Sequence, residues 1–254
     1  MRFGPYRIVA DYHTHTRYSH GESTVLENVR AAREKGLRRV AISDHGPGSL
    51  FGVGVESLAT FDAIRKEVEE AQQLYPDVEV LLGVEANVLS VDGRLDIPLE
   101  MQSQFDVVLV GLHPLVRWEP LRDGAALIWR NVMGARCKAR ADEARWLNTQ
   151  ALVNAVLKNR VHAVTHPGYR LPIDTALLAQ ACARAGCALE INASHPHTTE
   201  AYIRIAKEHG ARFILGSDAH SARRVGDLGR AAALARRAGL RAADIVNVEP
   251  LTQE

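Results

Sequence analysis

Short apolar runs alternate with segments of helical periodicity along most of this chain. Runs such as 39–43, 78–84 and 105–110 are rich in Val, Leu and Ile and have the length of buried strands. Between them, in 22–35 and 57–74, apolar residues recur every three to four positions, which is the spacing of an amphipathic helix. This alternation predicts β-then-α units and a parallel sheet.

Seven such units can be counted. The predicted strands are 6–10, 39–43, 78–84, 105–110, 161–165, 188–191 and 212–215. The predicted helices are 22–35, 57–74, 144–159, 175–185 after the cap Asp174, 199–209 and 226–238. No linker rich in Gly, Ser or Pro separates them, so we expect one domain over 1–254, built as a closed α/β barrel.

Six of the seven predicted strands end in a histidine or a carboxylate. The exception is 188–191, which offers Glu190 and Asn192 on one face. After the first strand, alternation points Asp11, His13 and His15 the same way, so two imidazoles can bind one divalent ion. Because the C-terminal ends of parallel barrel strands meet at one mouth, a metal site is predicted there.

Nine side chains at these strand ends are candidate metal ligands. They are His13, His15, His20, His45, Glu85, His113, His166, Asp218 and His220. Any one of the histidines alone could be an ordinary hydrogen-bonded residue, but nine such groups crowded together would be costly to desolvate without cations. The set suits two or three divalent ions, with Zn as the first choice and Mn or Fe as alternatives.

Composition narrows the possible partners. The 254 residues are 46% hydrophobic, which suffices for a large core, and the net charge is +1. Without a basic field, neither nucleic acid nor an anionic membrane is an expected partner. The three cysteines have no CxxC spacing, and no signal-peptide layout or long apolar run is present, so we expect a cytoplasmic protein. Oligomeric state is left open.

The strand-end motifs resemble a known family. They read DYHTHTRYSHG from Asp11, SDHGP from Ser43, GVEAN from Gly83, GLHP from Gly111, THPG from Thr165, LEINAS from Leu189 and GSDAH from Gly216. In this order they resemble the PHP (polymerase and histidinol phosphatase) family, most closely its small stand-alone phosphatase branch typified by YcdX. The resemblance implies a distorted (β/α)7 TIM-like barrel with a trinuclear metal site at its C-terminal mouth.

The resemblance also implies a division of the ligands. It places His13, His15, Glu85 and Asp218 around one ion, His20, His45 and His220 around a second, and His113 and His166 around a third, with Glu85 bridging. The sixth strand reads Asn-Ala-Ser where that branch tends to show Asn-Asn-Ser, which leaves the roles of Asn192 and Ser194 open.

A metal-dependent phosphoesterase follows as the predicted function. A hydroxide bridging two ions would attack the phosphate monoester of a small substrate, with Glu85, Asp218 and His220 as the catalytic residues. The predicted phosphate contacts are Arg17, Arg170 and Arg223, for which the alternative is ordinary surface arginines. Asp44 could orient a ligand or cap a turn.

Three other functions remain as alternatives. They are a histidinol-phosphate phosphatase specifically, an amidohydrolase-like C–N hydrolase and a catalytically idle metal-binding module. An amidohydrolase usually adds a bridging lysine on a middle strand, where this chain has His113. Residues 115–142 carry Trp118, Trp129 and several arginines, including Arg117 and Arg122, and could form a lid or a helical insertion.

Overall fold

A computed structural model describes residues 2–4, 6–134 and 138–250; Cys137 lies outside these ranges. The strands are β1 (Arg2–Phe3), β2 (Tyr6–Ile8), β3 (Ala10–Asp11), β4 (Arg39–Ile42), β5 (Glu79–Asn87), β6 (Val107–Gly111), β7 (Ala163–Val164), β8 (Ala188–Asn192), β9 (Arg212–Gly216) and β10 (Val248–Pro250). The helices are α1 (Val25–Glu34), α2 (Thr60–Leu74), α3 (Leu121–Gly134), α4 (Lys138–Lys158), α5 (Thr175–Ala185), α6 (Glu200–Glu208) and α7 (Gly229–Arg237).

Strands β3 to β9 form a seven-stranded parallel sheet in sequence order, which curls into a nearly closed barrel with helices outside. This confirms the predicted distorted (β/α)7 barrel. The helix termini carry the capping residues that such helices require. Thr24 caps α1 in a capping box with Glu27, and Asp174 caps α5, which ends at Gly186 in the left-handed conformation.

Two predicted elements differ from the structure, and one C-terminal strand was not predicted. The run 6–10 is divided, because β2 pairs antiparallel with β1 and β10 while only β3 joins the barrel. The helix predicted from 144 begins at Lys138, and α3 occupies part of 115–142. Strand β10 was not predicted, since a three-residue strand is specified by its partner across the chain rather than by its own pattern. No helix in the described ranges is long and apolar enough to cross a bilayer.

Alternation along each barrel strand sorts the side chains into two layers. One face, with residues such as Leu82, Val110 and Phe213, packs under the helices. The other face lines the barrel interior, where Leu109, Ala163 and related residues form a separate apolar cluster. Successive inward positions on β5 are Glu79, Leu81, Gly83 and Glu85, so one strand carries a carboxylate to each end of the barrel.

The seam between β3 and β9 is closed without a continuous ladder. Near the mouth, Thr14 and Ala219 form a parallel bridge, in which His15 N–H donates to Ala219 O at 2.8 Å. Below it, the fully buried Asn247 bridges both strands. Its Nδ2 donates to Ala10 O and Leu215 O, each at 2.8 Å, and its Oδ1 accepts from Leu215 N at 3.0 Å.

Replacing Asn247 by Ala should therefore destabilise the barrel. The change leaves three buried backbone groups without partners, and we expect a loss of about 3 kcal/mol in the free energy of unfolding, measured by urea denaturation. Asn154→Ala is the control, because its side chain donates one bond, to Val91 O, at a half-buried position. Equal losses in the two variants would contradict a special role for Asn247.

Candidate metal centre

Glu85, near the end of β5, is the centre of the cluster at the barrel mouth. Its fully buried carboxylate lies within 3.7 Å of five imidazoles. The separations are 2.9 Å to His45 Nδ1 and His166 Nε2, 3.3 Å to His13 Nε2, 3.5 Å to His113 Nε2 and 3.7 Å to His15 Nε2. Burial alone would raise the pKa of Glu85, but the surrounding histidines, His45 and His13 foremost, hold it well below its usual value.

Asp218 supplies the second buried carboxylate. Its Oδ1 lies 3.4 Å from His15 Nε2 and 3.5 Å from His13 Nε2. Both Asp218 (φ 52) and His166 (φ 27) adopt positive φ, which non-glycine residues rarely do and which costs about 1–3 kcal/mol each. Backbone strain is thus concentrated where the chain turns these side chains into the mouth.

A third group, on the solvent side of the cluster, consists of His15, His45 and His220. The ring centroid of His15 lies 4.6 Å from that of His45 and 4.5 Å from that of His220. Burial and the neighbouring His45 hold the pKa of His15 well below its usual value, so the ring is neutral, as a metal ligand must be. His20 lies further out; its ring centroid is 4.1 Å from that of His220 and its Nδ1 is 3.2 Å from Val53 O.

Four compact sets of three residues have ligand atoms within 4.8 Å of one another. They are His13, His15 and Glu85; His13, His166 and Asp218; His45, Glu85 and His113; and His15, His45 and His220. The sets share members, so the geometry does not divide the ligands uniquely among ions, and the predicted division stays a prediction. His20 belongs to none of these four sets.

The chemistry of the cluster fits divalent metal ions. Several buried ligand atoms have no hydrogen-bond partner among the residues that the structure describes: His13 Nε2, both ring nitrogens of His15, His45 Nδ1, Glu85 Oε2 and His220 Nε2. Unpaired buried polar atoms of this kind are costly, and native proteins rarely tolerate them without a ligand or an ion. Imidazole nitrogens and carboxylate oxygens in one set suit Zn, Mn or Fe.

Side chains behind the cluster orient the imidazoles. Glu190 Oε1 lies 2.7 Å from His13 Nδ1, and Asn87 Oδ1 lies 2.8 Å from His113 Nδ1. Asn87 is held in turn by the buried Asp96, whose pKa burial raises to about 6. Each of these bonds leaves Nε2 of the histidine facing the mouth, which is the arrangement typical of metal-binding histidines.

A layer of inward-facing glycines makes room for these side chains. A Cβ on Gly111 would overlap the ring of His113, and a Cβ on Gly216 would overlap the carboxylate of Glu190. At Gly83 a Cβ would overlap Ser43 Oγ. In these strands glycine is required for space inside the barrel rather than for an unusual φ.

Asp44 contacts the loop after His15 and makes no hydrogen bond to a ligand imidazole in the described part of the chain. Its carboxylate accepts from Thr16 N at 2.7 Å, from Thr16 Oγ1 at 2.6 Å and from Ser19 Oγ. It therefore fixes the loop that runs from His15 to His20.

A cavity of about 260 Å³ opens above the cluster. Of the three predicted phosphate contacts, Arg170 lines it. Arg17 is exposed and lies 3.4 Å from Glu67, and Arg223 lines a separate groove beside α1. These two arginines thus point away from the mouth.

Among the described residues of the segment 115–142, Leu115 lines this cavity, while α3 and the start of α4 do not. Trp118 is buried and its Nε1 donates to Pro114 O, whereas Trp129 is exposed. Arg122 is exposed and lies 3.8 Å from Asp123. The geometry favours a helical insertion over a lid.

His195 was not among the predicted site residues. Its Nε2 lies 3.1 Å from Asp218 Oδ2, which Asn192 Nδ2 also contacts at 3.1 Å, and its ring stacks on Tyr169 at 3.9 Å. Both rings line the mouth cavity. No spacing signals His195, because it lies in a loop, whereas Glu190 and Asn192 could be found from strand alternation.

Comparisons with known proteins agree with this architecture. The chain is 34% identical over 224 residues to a protein named "Probable phosphatase" from Caldanaerobacter subterraneus subsp. tengcongensis, covering 84% of this chain and 77% of that protein. A "Probable phosphatase" from Thermoanaerobacter sp. is 32% identical over 253 residues, covering 96% and 91%.

A solved structure shares the fold. It is the histidinol phosphate phosphatase of Lactococcus lactis subsp. lactis, solved with zinc, L-histidinol and phosphate, with a TM-score of 0.62 and 17% identity over 92% of this chain and 95% of that chain. Residues 11–238 match the family model described as PHP domain. Together with the relatives above 30% identity, this match shows that the chain belongs to the PHP family.

Proposed function

We propose that this protein is a metal-dependent phosphatase that hydrolyses the monoester of a small phosphorylated substrate. The observation that carries the proposal is the set of buried, unpaired ligand atoms around Glu85 and Asp218. Membership of the PHP family and relatives named as phosphatases support the same reaction. The cavity of about 260 Å³ above the cluster suits a small substrate.

The nine strand-end side chains would hold two or three ions, with zinc first and manganese or iron as alternatives. Bound there, the ions would lower the pKa of a bridging water to give hydroxide and would offset charge on the phosphoryl oxygens. Glu85 belongs to two of the four compact sets and lies close to members of the other two, so it would be the ligand shared between ions. Glu190 and Asn87 keep His13 and His113 in the tautomer that presents Nε2.

Substrate binding would fall to the wall of the cavity. Arg170, whose guanidinium lies 5.0 Å from the Tyr169 ring centroid, is the cation placed to meet a phosphate oxygen. The stacked rings of Tyr169 and His195 would contact the leaving group and exclude water from one side. A histidinol-phosphate phosphatase is a narrower form of this proposal.

Hydrolysis assays on protein purified without added metal test the reaction class. Aryl phosphate hydrolysis should follow the metal content, vanish with a chelator and return with Zn or Mn, while an aryl ester and dihydropyrimidine stay uncleaved. Cleavage of dihydropyrimidine instead would favour the amidohydrolase alternative, and full metal loading without hydrolysis of any phosphate would favour the idle module. Histidinol phosphate belongs in the panel of phosphorylated substrates.

Glu85→Gln should lose both bound metal and rate. The neutral amide cannot offset the charge of two ions, so we expect at least one metal equivalent to be lost and the rate to fall by more than about 100-fold. Metal is measured by plasma mass spectrometry, with Glu249→Gln as the control, because the Glu249 carboxylate pairs with Arg38 and Arg39 away from the metal centre. Unchanged metal content in Glu85→Gln would mean that Glu85 bridges nothing.

Gly111→Ala should remove metal although it replaces none of the predicted ligand residues. The added methyl group overlaps the His113 ring and approaches Glu85 Oε1 to 2.9 Å, so the ring must move from its place. We expect metal content to fall and the rate to drop about 10-fold or more, with little change in far-ultraviolet circular dichroism. Gly229→Ala is the matched control, because its methyl group would meet no atom within 4 Å. Equal metal content in both variants would argue against a ligand role for His113.

A further inference from the structure

A turn after β5 brings a buried carboxylate behind the metal centre. The chain reverses in the turn 90–93, and one antiparallel bridge joins the two arms of this turn. Asp96 N–H then donates back to Asn87 O at 3.1 Å. Asp96 thus lies opposite Asn87, the residue whose Oδ1 is 2.8 Å from His113 Nδ1.

The Asp96 carboxylate accepts three hydrogen bonds. Its Oδ1 accepts from Asn87 N at 2.8 Å, and its Oδ2 accepts from Asn87 Nδ2 at 2.6 Å and from Gly48 N at 2.9 Å. Two of these donors are backbone N–H groups that face different oxygens, so each oxygen must accept. A carboxylate satisfies all three donors, whereas an asparagine side chain at this position would turn its own N–H toward one of them.

Two glycines make room for this carboxylate. A Cβ on Gly46 would overlap the Asp96 carboxylate, and a Cβ on Gly48 would lie 2.8 Å from Asp96 Oδ2. Both glycines belong to the loop that begins directly after His45. Because Gly48 N also donates to Asp96, the carboxylate holds this loop as well as Asn87.

Asp96 fixes the orientation of the Asn87 amide. The amide Nδ2 faces two acceptors, Asp96 Oδ2 at 2.6 Å and Gly46 O at 3.4 Å, so the amide Oδ1 faces His113. Since Oδ1 can only accept, His113 Nδ1 must donate. The neutral ring then presents the lone pair of Nε2, which lies 3.5 Å from Glu85 Oε1. A reversed amide would leave the proton on Nε2, where it would block a metal ion.

We propose, on the basis of the metal-dependent reaction proposed above, that Asp96 is a positioning residue of the metal centre. It acts on His113 through the amide of Asn87, and it holds the loop that follows His45. His45 and His113 form one compact set with Glu85. An ion bound by this set is therefore the one that depends on Asp96, a residue that contributes no ligand atom to any compact set.

Zinc affinity of Asp96→Asn is the first measurement. The new N–H meets a fixed backbone donor, so we expect the most weakly held zinc to bind about 10- to 100-fold less tightly, measured by competition with a chromophoric chelator. Asp92→Asn, which changes an exposed carboxylate in the same turn, is the matched control and should bind zinc like the wild type. Wild-type zinc affinity in Asp96→Asn would overturn the proposal.

The tautomer of His113 is a readout that a merely structural role of Asp96 would not move. Long-range ¹H–¹⁵N correlations in zinc-loaded, ¹⁵N-histidine-labelled protein show which ring nitrogen carries the proton, and His113→Gln assigns the signals. We expect the proton on Nδ1 in the wild type and on Nε2, or on both nitrogens in exchange, in Asp96→Asn. A folded Asp96→Asn protein with the wild-type tautomer would refute the action through Asn87.

Exchanging the two side chains separates this hydrogen-bond chain from simple packing. In the double variant Asn87→Asp, Asp96→Asn, the carboxylate at position 87 accepts from His113 Nδ1 and from the amide at position 96. Zinc affinity should recover by at least about 3-fold relative to Asp96→Asn, but not fully, because Gly48 N loses its acceptor. The double variant also provides the test if thermal melting shows that Asp96→Asn alone does not fold. No recovery would show that Asp96 acts by packing.

The outcomes also distinguish this proposal from the proposed reaction. A wild-type protein that binds zinc and hydrolyses no phosphate monoester would refute the reaction, while the zinc affinities and the His113 tautomer would still decide the role of Asp96. Normal hydrolysis by the wild type together with unchanged zinc affinity in Asp96→Asn would refute the role of Asp96 alone.

Discussion

A negative charge buried among imidazoles is the constraint on which this structure depends. Glu85 has no exposed surface, and five histidines from four different parts of the chain surround its carboxylate. Burying such a carboxylate costs desolvation energy, which protonated histidines or metal ions around it must offset. Residues as distant as His13 and His166 must therefore arrive at one point, which requires the strands to share one mouth. The barrel supplies that convergence, since all seven strands run parallel and end on the same side.

The inward face of each strand explains how the centre is assembled. Above the apolar layer of Leu81 and Leu109, glycine recurs at inward positions, and the space is taken by side chains that reach across the barrel. Glu190 lies over Gly216 to reach His13, and His113 folds back over Gly111. The glycines weaken the strands individually, but any larger residue there would place its Cβ on the orienting carboxylate of Glu190 or on the ring of His113.

Much of this arrangement could be predicted from the sequence because two periodicities are strong. Alternation of apolar strands with amphipathic helices predicts the barrel, and the histidines and carboxylates after the strands lie at its mouth as that fold requires. What the sequence did not reveal depends on contacts between distant segments. Strand β10 exists through pairing with β2, His195 reaches Asp218 from a loop, and Arg17 turns away toward Glu67 on α2. Local pattern carries no information on such contacts.

The two ends of the barrel obey the same geometry with opposite chemistry. On β5, inward positions run from Glu79 through Leu81 to Glu85, and on β9 they run from Arg212 through Ile214 to Gly216, two residues before Asp218. At the mouth the inward groups are imidazoles and carboxylates, whereas at the base arginines and carboxylates surround the packed apolar cluster that includes Leu109 and Ile214. The apolar layer between them separates the two environments, so the metal centre shares no charged group with the base of the barrel.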